Sequence, residues 1–271
     1  MLNKIFTPLL LSIIFIQCTP KINSTAGGAK EEWIDLFNGK DIKDWTAKIN
    51  HHETGENFGN TFRVEDGMIK VRYDQYGPFN EQFGHLYYKT PFSCYKLIVE
   101  YRFTGDFVKD GPGYAILNSG VMFHSQDPYT MPKDQNWPIS IEFQFNAGLG
   151  DGKPRPTGSM CSPGTKVVYQ GKLDERHCIV SSSRTFEKNE WVKAELVVYA
   201  DSLVSHIING DTVLQYSKPQ IGGNVVNNYD PKIKIDGKLL SEGFIALQSE
   251  GQPIDFRKVQ LMKLNNCPQK K

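Results

Sequence analysis

The chain has 271 residues, with 31 Lys and Arg against 30 Asp and Glu and a formal net charge of +1. That length suits one large all-β domain or two small ones, and an apolar fraction of 39% is enough for a sizeable core. Near-neutral charge, with no basic cluster interleaved with aromatics after the N-terminus, gives no case for nucleic acid or an acidic polymer as partner.

Residues 1–20 read MLNKIFTPLLLSIIFIQCTP. Lys4 supplies a positive start, and residues 9–16 a short apolar core. This is the pattern of a secretory signal, too short for a membrane-spanning helix. Its end resembles a bacterial lipoprotein signal, in which Cys18 becomes the lipidated N-terminus. Gln17 stands where such signals carry a small residue. Residues 1–18 are therefore read as signal and 19–30 as a disordered polar tether. The expected location is the periplasm or the outer membrane, with membrane contact only through the lipid. Residues 31–266 form the domain.

Four cysteines follow. Cys161 and Cys178 flank a Gly/Pro-rich stretch and are expected to form a disulfide, as export permits. Cys94 reads as a free, buried cysteine. No pair has CxxC spacing.

In chain order, EEWIDLFNGKDIKDW opens with the apolar cluster Trp33, Ile34, Leu36 and Phe37, then an Asn38-Gly39 turn. TFRVEDGMIKVR predicts a hairpin at Asp66-Gly67. Residues 84–89 and 95–103 read as strands. NSGVMFHSQ and WPISIEFQFN, within residues 118–146, are the central pair. Ile139, Ile141, Phe143 and Phe145 point one way, and Ser140, Glu142, Gln144 and Asn146 the other. By the same alternation Gly120, Met122 and His124 share a face, so His124, Glu142 and Gln144 are expected on one polar sheet face. That face is either a ligand site or an ordinary solvated one. The connection between the two strands holds Tyr129 and Trp137. Trp137 is either a sugar-stacking platform or a plug at the sheet edge.

Residues 148–170 read as a long structured loop. WVKAELVVY predicts a strand with Val192, Ala194, Leu196 and Val198 inward. LVSHIINGDTVLQY predicts a hairpin at Asn209-Gly210, and residues 219–238 a second long loop. Residues 243–264 give two final strands. No stretch has helical spacing with caps. Many short strands between turns argue for a β-sandwich or barrel.

WIDLFNGKDIKDW, SGVMFHS, ISIEFQ, VSHIINGDTV and GFIALQSEGQPIDFRKVQL together resemble the 3-keto-disaccharide hydrolase domain family, long catalogued as a domain of unknown function. The resemblance runs over residues 33–264, and the ordered set of motifs carries it. It implies a jelly-roll β-sandwich similar to concanavalin-A-like lectins and glucanases. It also implies an exported enzyme that cleaves 3-keto-glycosides, 3-keto-disaccharides among them. A 3-keto group acidifies the neighbouring C2–H, so a base removes that proton, the C1 substituent leaves and water adds later. Such chemistry needs a base, an electrophile and an acid.

SIEFQ matches the family's E-x-Q strand, which makes Glu142 the candidate base and Gln144 a substrate contact. His124, after SGVMF, is a second catalytic candidate. Gln248 and Glu250 match the polar part of the LQ-x-x-G ending, and with Trp137 are candidate substrate contacts. Arg257 in IDFRKV is either a further contact or a structural ion pair. No cofactor is certain. A divalent metal with His124 and Glu142 as ligands is the open alternative for the electrophile. Two other functions compete: a non-catalytic carbohydrate-binding protein of the cell surface, and an ordinary glucanase. The latter needs a carboxylate pair, of which the central strands offer only Glu142.

Overall fold

The computed structural model describes residues 32–265 and 267. The signal segment, Cys18 and the tether lie outside the described residues. Among the described residues there are seventeen strands. They are β1 Trp33–Asp35, β2 Trp45–Ile49, β3 Phe62–Glu65, β4 Met68–Val71, β5 Gly84–Tyr88 and β6 Cys94–Phe103. The middle of the chain supplies β7 Asn118–Ser125, β8 Ile141–Asn146, β9 Ser159–Cys161, β10 Thr165–Tyr169, β11 Lys172–Asp174 and β12 Cys178–Ile179. The last are β13 Val192–Tyr199, β14 Leu203–Ile208, β15 Asp211–Ile221, β16 Phe244–Ser249 and β17 Ile254–Lys263. Among the described residues the helical elements are three short 3₁₀ turns, and no helix is long and apolar enough to cross a membrane.

Every strand pairing is antiparallel. One sheet has ten strands in the order β11-β10-β15-β14-β13-β6-β17-β4-β3, with β1 also on β17. The other has seven, in the order β12-β9-β8-β7-β16-β5-β2. The fold is thus the all-β jelly-roll sandwich of the lectin and glucanase type.

The core lies between the sheets. Alternation along β8 turns Ile141, Phe143 and Phe145 inward, and alternation along β13 does the same for Val192, Ala194, Leu196 and Val198. Phe145 stacks on Tyr101 of the opposite sheet, with ring centroids 4.0 Å apart. Phe143 packs on His206 of β14 at 4.1 Å. His206 is buried, but both its ring nitrogens are satisfied, by the Gly158 carbonyl at 2.9 Å and the Tyr216 hydroxyl at 2.8 Å. It is a structural histidine.

Turn chemistry sets the hairpins. At Asn209-Gly210 both residues have positive φ, 51° and 99°, as a type I′ turn requires. Asp66-Gly67 repeats this at 53° and 70°.

Three expectations change. Residues 148–170 hold β9 and β10, where a loop was expected. β9 is a three-residue strand buried throughout, so it carries no alternation to read. Trp33 and Ile34 lie on an edge strand and are 39% and 37% exposed, while Leu36 and Phe37 enter the core. Cys94 is bonded to Cys267, with Cα atoms 5.6 Å apart. β17 runs antiparallel to β6, pairing Lys263 with Tyr95, and so brings the chain end back to Cys94.

Candidate functional site

The outer face of the seven-stranded sheet carries a cavity of about 620 Å³. Its floor is polar. Asn118, Glu142, Asn146, Gln248 and Glu250 all line it, and all are buried. Register explains the grouping. Asn118 of β7 pairs with Asn146 of β8, Gly120 with Gln144, and Met122 with Glu142. β16 flanks β7 on the other side, with Leu247 opposite Val121, which sets Gln248 beside Gly120. Glu250 follows at the end of β16.

Gly120 is the piece that opens the floor. A Cβ there would sit 2.7 Å from Glu142 Oε1 and 2.9 Å from the Phe143 carbonyl. The Glu142 carboxyl therefore lies over a bare stretch of backbone that no other residue would leave free.

Four buried oxygens of this floor accept no hydrogen bond from the described residues: Asn118 Oδ1, Glu142 Oε1, Gln248 Oε1 and Glu250 Oε2. Burial of an unpaired carboxylate is costly, so both carboxyls favour their protonated forms. Burial pushes Glu142 up to about 8, with the Gln248 side chain working the other way. Glu250 is held well above the usual carboxylate range, first by burial and then by the charge of Glu142, with Arg155 opposing. Arg155 lines the same cavity and is anchored by donating from Nη1 to the carbonyls of Leu117 and Ala147, at 3.1 and 2.8 Å.

One wall is the Cys161–Cys178 disulfide, S–S 2.04 Å. Cys161 pairs with Glu142 in register and Cys178 pairs with Cys161, so the bridge stands one strand from the carboxyl. His177 beside it completes a cluster of three residues of metal-ligating type. Both sulfurs are taken up by the disulfide, so the cluster does not fit a thiolate-bound metal.

Trp137 also lines the cavity. It is buried, stacked on Phe83 at 4.5 Å and set edge-on to His85 at 5.7 Å. Of its two readings the packed plug describes it, with one side facing the cavity. Gln144 is half-buried on the floor.

Two candidates lie elsewhere. His124 does not share the face of Glu142. β16 pairs Phe244 with Ser125 and Ala246 with Met122, so two residues of β7 oppose one of β16. At this bulge His124 takes φ 47°. Alternation fails there, and the ring turns inward until Nε2 meets the carbonyl of Ala200, in the turn that follows β13, at 3.1 Å. Burial pushes it down to about 4. His124 lines a different cavity, so His124 and Glu142 do not converge on a metal. Arg257 stands on the ten-stranded sheet. Its Nε donates to Glu100 at 2.6 Å and its guanidinium covers the Trp191 ring at 4.2 Å, which makes it a structural ion pair.

Asn118, Asn146 and Arg155 are site residues that the sequence reading did not single out. The two asparagines had a signal, since strand parity puts them with Glu142 and Gln144. Arg155 lies in a Gly/Pro-rich connection without periodicity and had none.

No curated protein matches the chain by sequence. Among solved structures it is similar to a protein of Parabacteroides distasonis ATCC 8503, provisionally named a glycosyl hydrolase. The two are 17% identical, with 86% of this chain and 100% of that one covered and a TM-score of 0.52. A galectin-like protein of unknown function from Bacillus subtilis is 10% identical, covers 86% and 94%, and has a TM-score of 0.51. The LamA variant of Z. galactanivorans, in complex with laminaritriose and laminaritetraose, is 10% identical, covers 86% and 98%, and has a TM-score of 0.50. At these identities the likeness is one of fold. The family model described as the 3-keto-alpha-glucoside-1,2-lyase-like domain matches residues 32–262, almost all of the described sandwich, and the chain belongs to that family.

Proposed function

We propose that the protein cleaves the glycosidic bond of 3-keto-glycosides by elimination followed by hydration. The observation that carries this reading is the floor of unpaired acceptor oxygens. Four buried oxygens in one cavity call for a ligand rich in O–H donors, and a sugar ring supplies several such donors from one rigid face.

Glu142 takes the C2 proton. It sits on a strand pinned by Ile141 and Phe143 in the core, so its position is rigid. The C–H electron pair forms the C2=C3 enediolate. When the C3 carbonyl re-forms, that pair becomes C1=C2 and the C1–O bond breaks. Glu250, still protonated, gives its proton to the departing oxygen. Water then adds across C1=C2, its hydroxyl to C1 and its proton to C2, so the net change is hydrolysis. Arg155 supplies positive charge for the enediolate.

The same oxygens favour one further role. As an alternative to the base and acid roles, ionised Glu142 and Glu250 with the Gln248 carbonyl would hold a divalent cation of the magnesium or calcium class, which supplies an electrophile for the C3 oxygen when bound.

The test is incubation of the purified protein with a 3-keto-disaccharide and with its unoxidised parent, with and without chelator. Turnover of the keto sugar alone is expected. Cleavage of the unoxidised sugar would reassign the carboxyl pair to ordinary glycosidase chemistry. Saturable binding of either sugar without turnover would leave a binding protein. Loss of turnover with chelator would place a cation on the floor.

A further inference from the structure

Exposed apolar side chains are ordinary when scattered singly over a surface. Here three converge. Tyr114, Leu149 and Val225 are 60%, 49% and 44% exposed, and all three line the cavity above Glu142 and Glu250. They come from three separate connections: the turn Gly113–Ala115, the chain between β8 and β9, and the chain between β15 and β16. Pro163 and the disulfide continue the same apolar wall. Among the lining residues one further side chain is exposed, His177. The polar floor is buried and the rim is apolar.

Val225 is held there against its backbone preference. Its φ is 69°, an outlier for a β-branched residue, and the neighbouring Asn224 carbonyl accepts from the Gly164 amide at 2.8 Å. Local strain of this kind persists where the surroundings over-determine it, commonly at ligand clamps.

We infer that the preferred leaving group is an apolar ring, an aromatic or alicyclic alcohol, ahead of a second sugar. The inference rests on the cleavage proposed above and names its substrate class. With the keto sugar's hydroxyls on the acceptor floor, the C1 substituent points outward and meets Tyr114, Leu149 and Val225. A second sugar would bring hydroxyls against Leu149 and Val225, which offer no hydrogen bond for the water lost. An apolar ring buries carbon on carbon.

The test compares the 3-keto-α-glucosides of methanol, cyclohexanol and glucose, whose leaving oxygens are all alkoxides. kcat/KM should be about tenfold or more higher for the cyclohexyl glycoside than for the other two, the size of a filled apolar subsite. Leu149→Asn should remove that preference. Equal rates, or a preference for the disaccharide, would overturn the inference while leaving the cleavage chemistry standing. Should none of the three turn over, the cleavage reading fails. Calorimetry with unoxidised cyclohexyl and methyl α-glucosides then judges the rim alone: tighter cyclohexyl binding supports an apolar subsite, and equal binding rejects it.

Discussion

Glu142 and Glu250 are two buried carboxyls in one cavity; burial raises both, and the charge of Glu142 adds to the need of Glu250 for a proton. Their ionisation sets a pH dependence. Glu142 must be ionised to act as base, and burial pushes it up to about 8. Glu250 must stay protonated, and burial with the charge of Glu142 holds it well above the usual carboxylate range. kcat/KM should therefore rise with pH through about 8 and fall only when Glu250 ionises. A pH–rate profile checks this, and an optimum in the acid range would contradict it. The same shift has a consequence for stability. The folded state binds a proton at Glu142 that the unfolded chain, with a value of 4.5, releases earlier. The favourable contribution is complete below 4.5 and is lost as pH rises through about 8. Glu142→Gln removes that titration at nearly constant volume. Thermal melts of the variant should match the parent at or below pH 4.5 and equal or exceed it as pH rises toward about 8.

The elements around these carboxyls are built to leave room. Gly120→Ala would press a methyl group against the Phe143 carbonyl, which backbone pairing holds in place, and against Glu142 Oε1. The variant should melt lower and lose activity together, because the strand and the carboxyl cannot both keep their places. Normal activity in a folded Gly120→Ala protein would mean that the position of Glu142 is not critical. The Cys161–Cys178 bridge closes a short loop, with a sequence separation of 17. Replacing both cysteines with serine should cost about 3 kcal/mol of stability, read by denaturant titration. At this scale the sequence was legible wherever alternation ran unbroken. β8 and β13 show their faces in the period-two pattern, and Asn209-Gly210 announces its hairpin. His124 was misplaced because a one-residue bulge reverses parity, and no residue type in SGVMFHS marks that bulge. Arg155 was invisible because a loop with no period has no face.

At the scale of the molecule, the two-sheet sandwich and the resemblance over residues 33–264 were both legible, since strand signals recur along that whole span. What stayed hidden is long-range closure. Glu250 reaches Glu142 only because β16 inserts between β7 and β5, and Cys267 reaches Cys94 only because β17 lies on β6. The N-terminal pattern carries its own expectation. Mass spectrometry of the mature protein should find an acylated N-terminal Cys18, and a mature chain beginning downstream would reject it. A sandwich of this kind hosts lectins and enzymes alike, so fold does not decide between binding and catalysis. The rate of cleavage of a 3-keto-glucoside by the parent and by Glu142→Gln decides it most directly. The account predicts that the variant stays folded by circular dichroism and loses about a hundredfold or more of the parental rate. A folded variant that cleaves at the parental rate would contradict it.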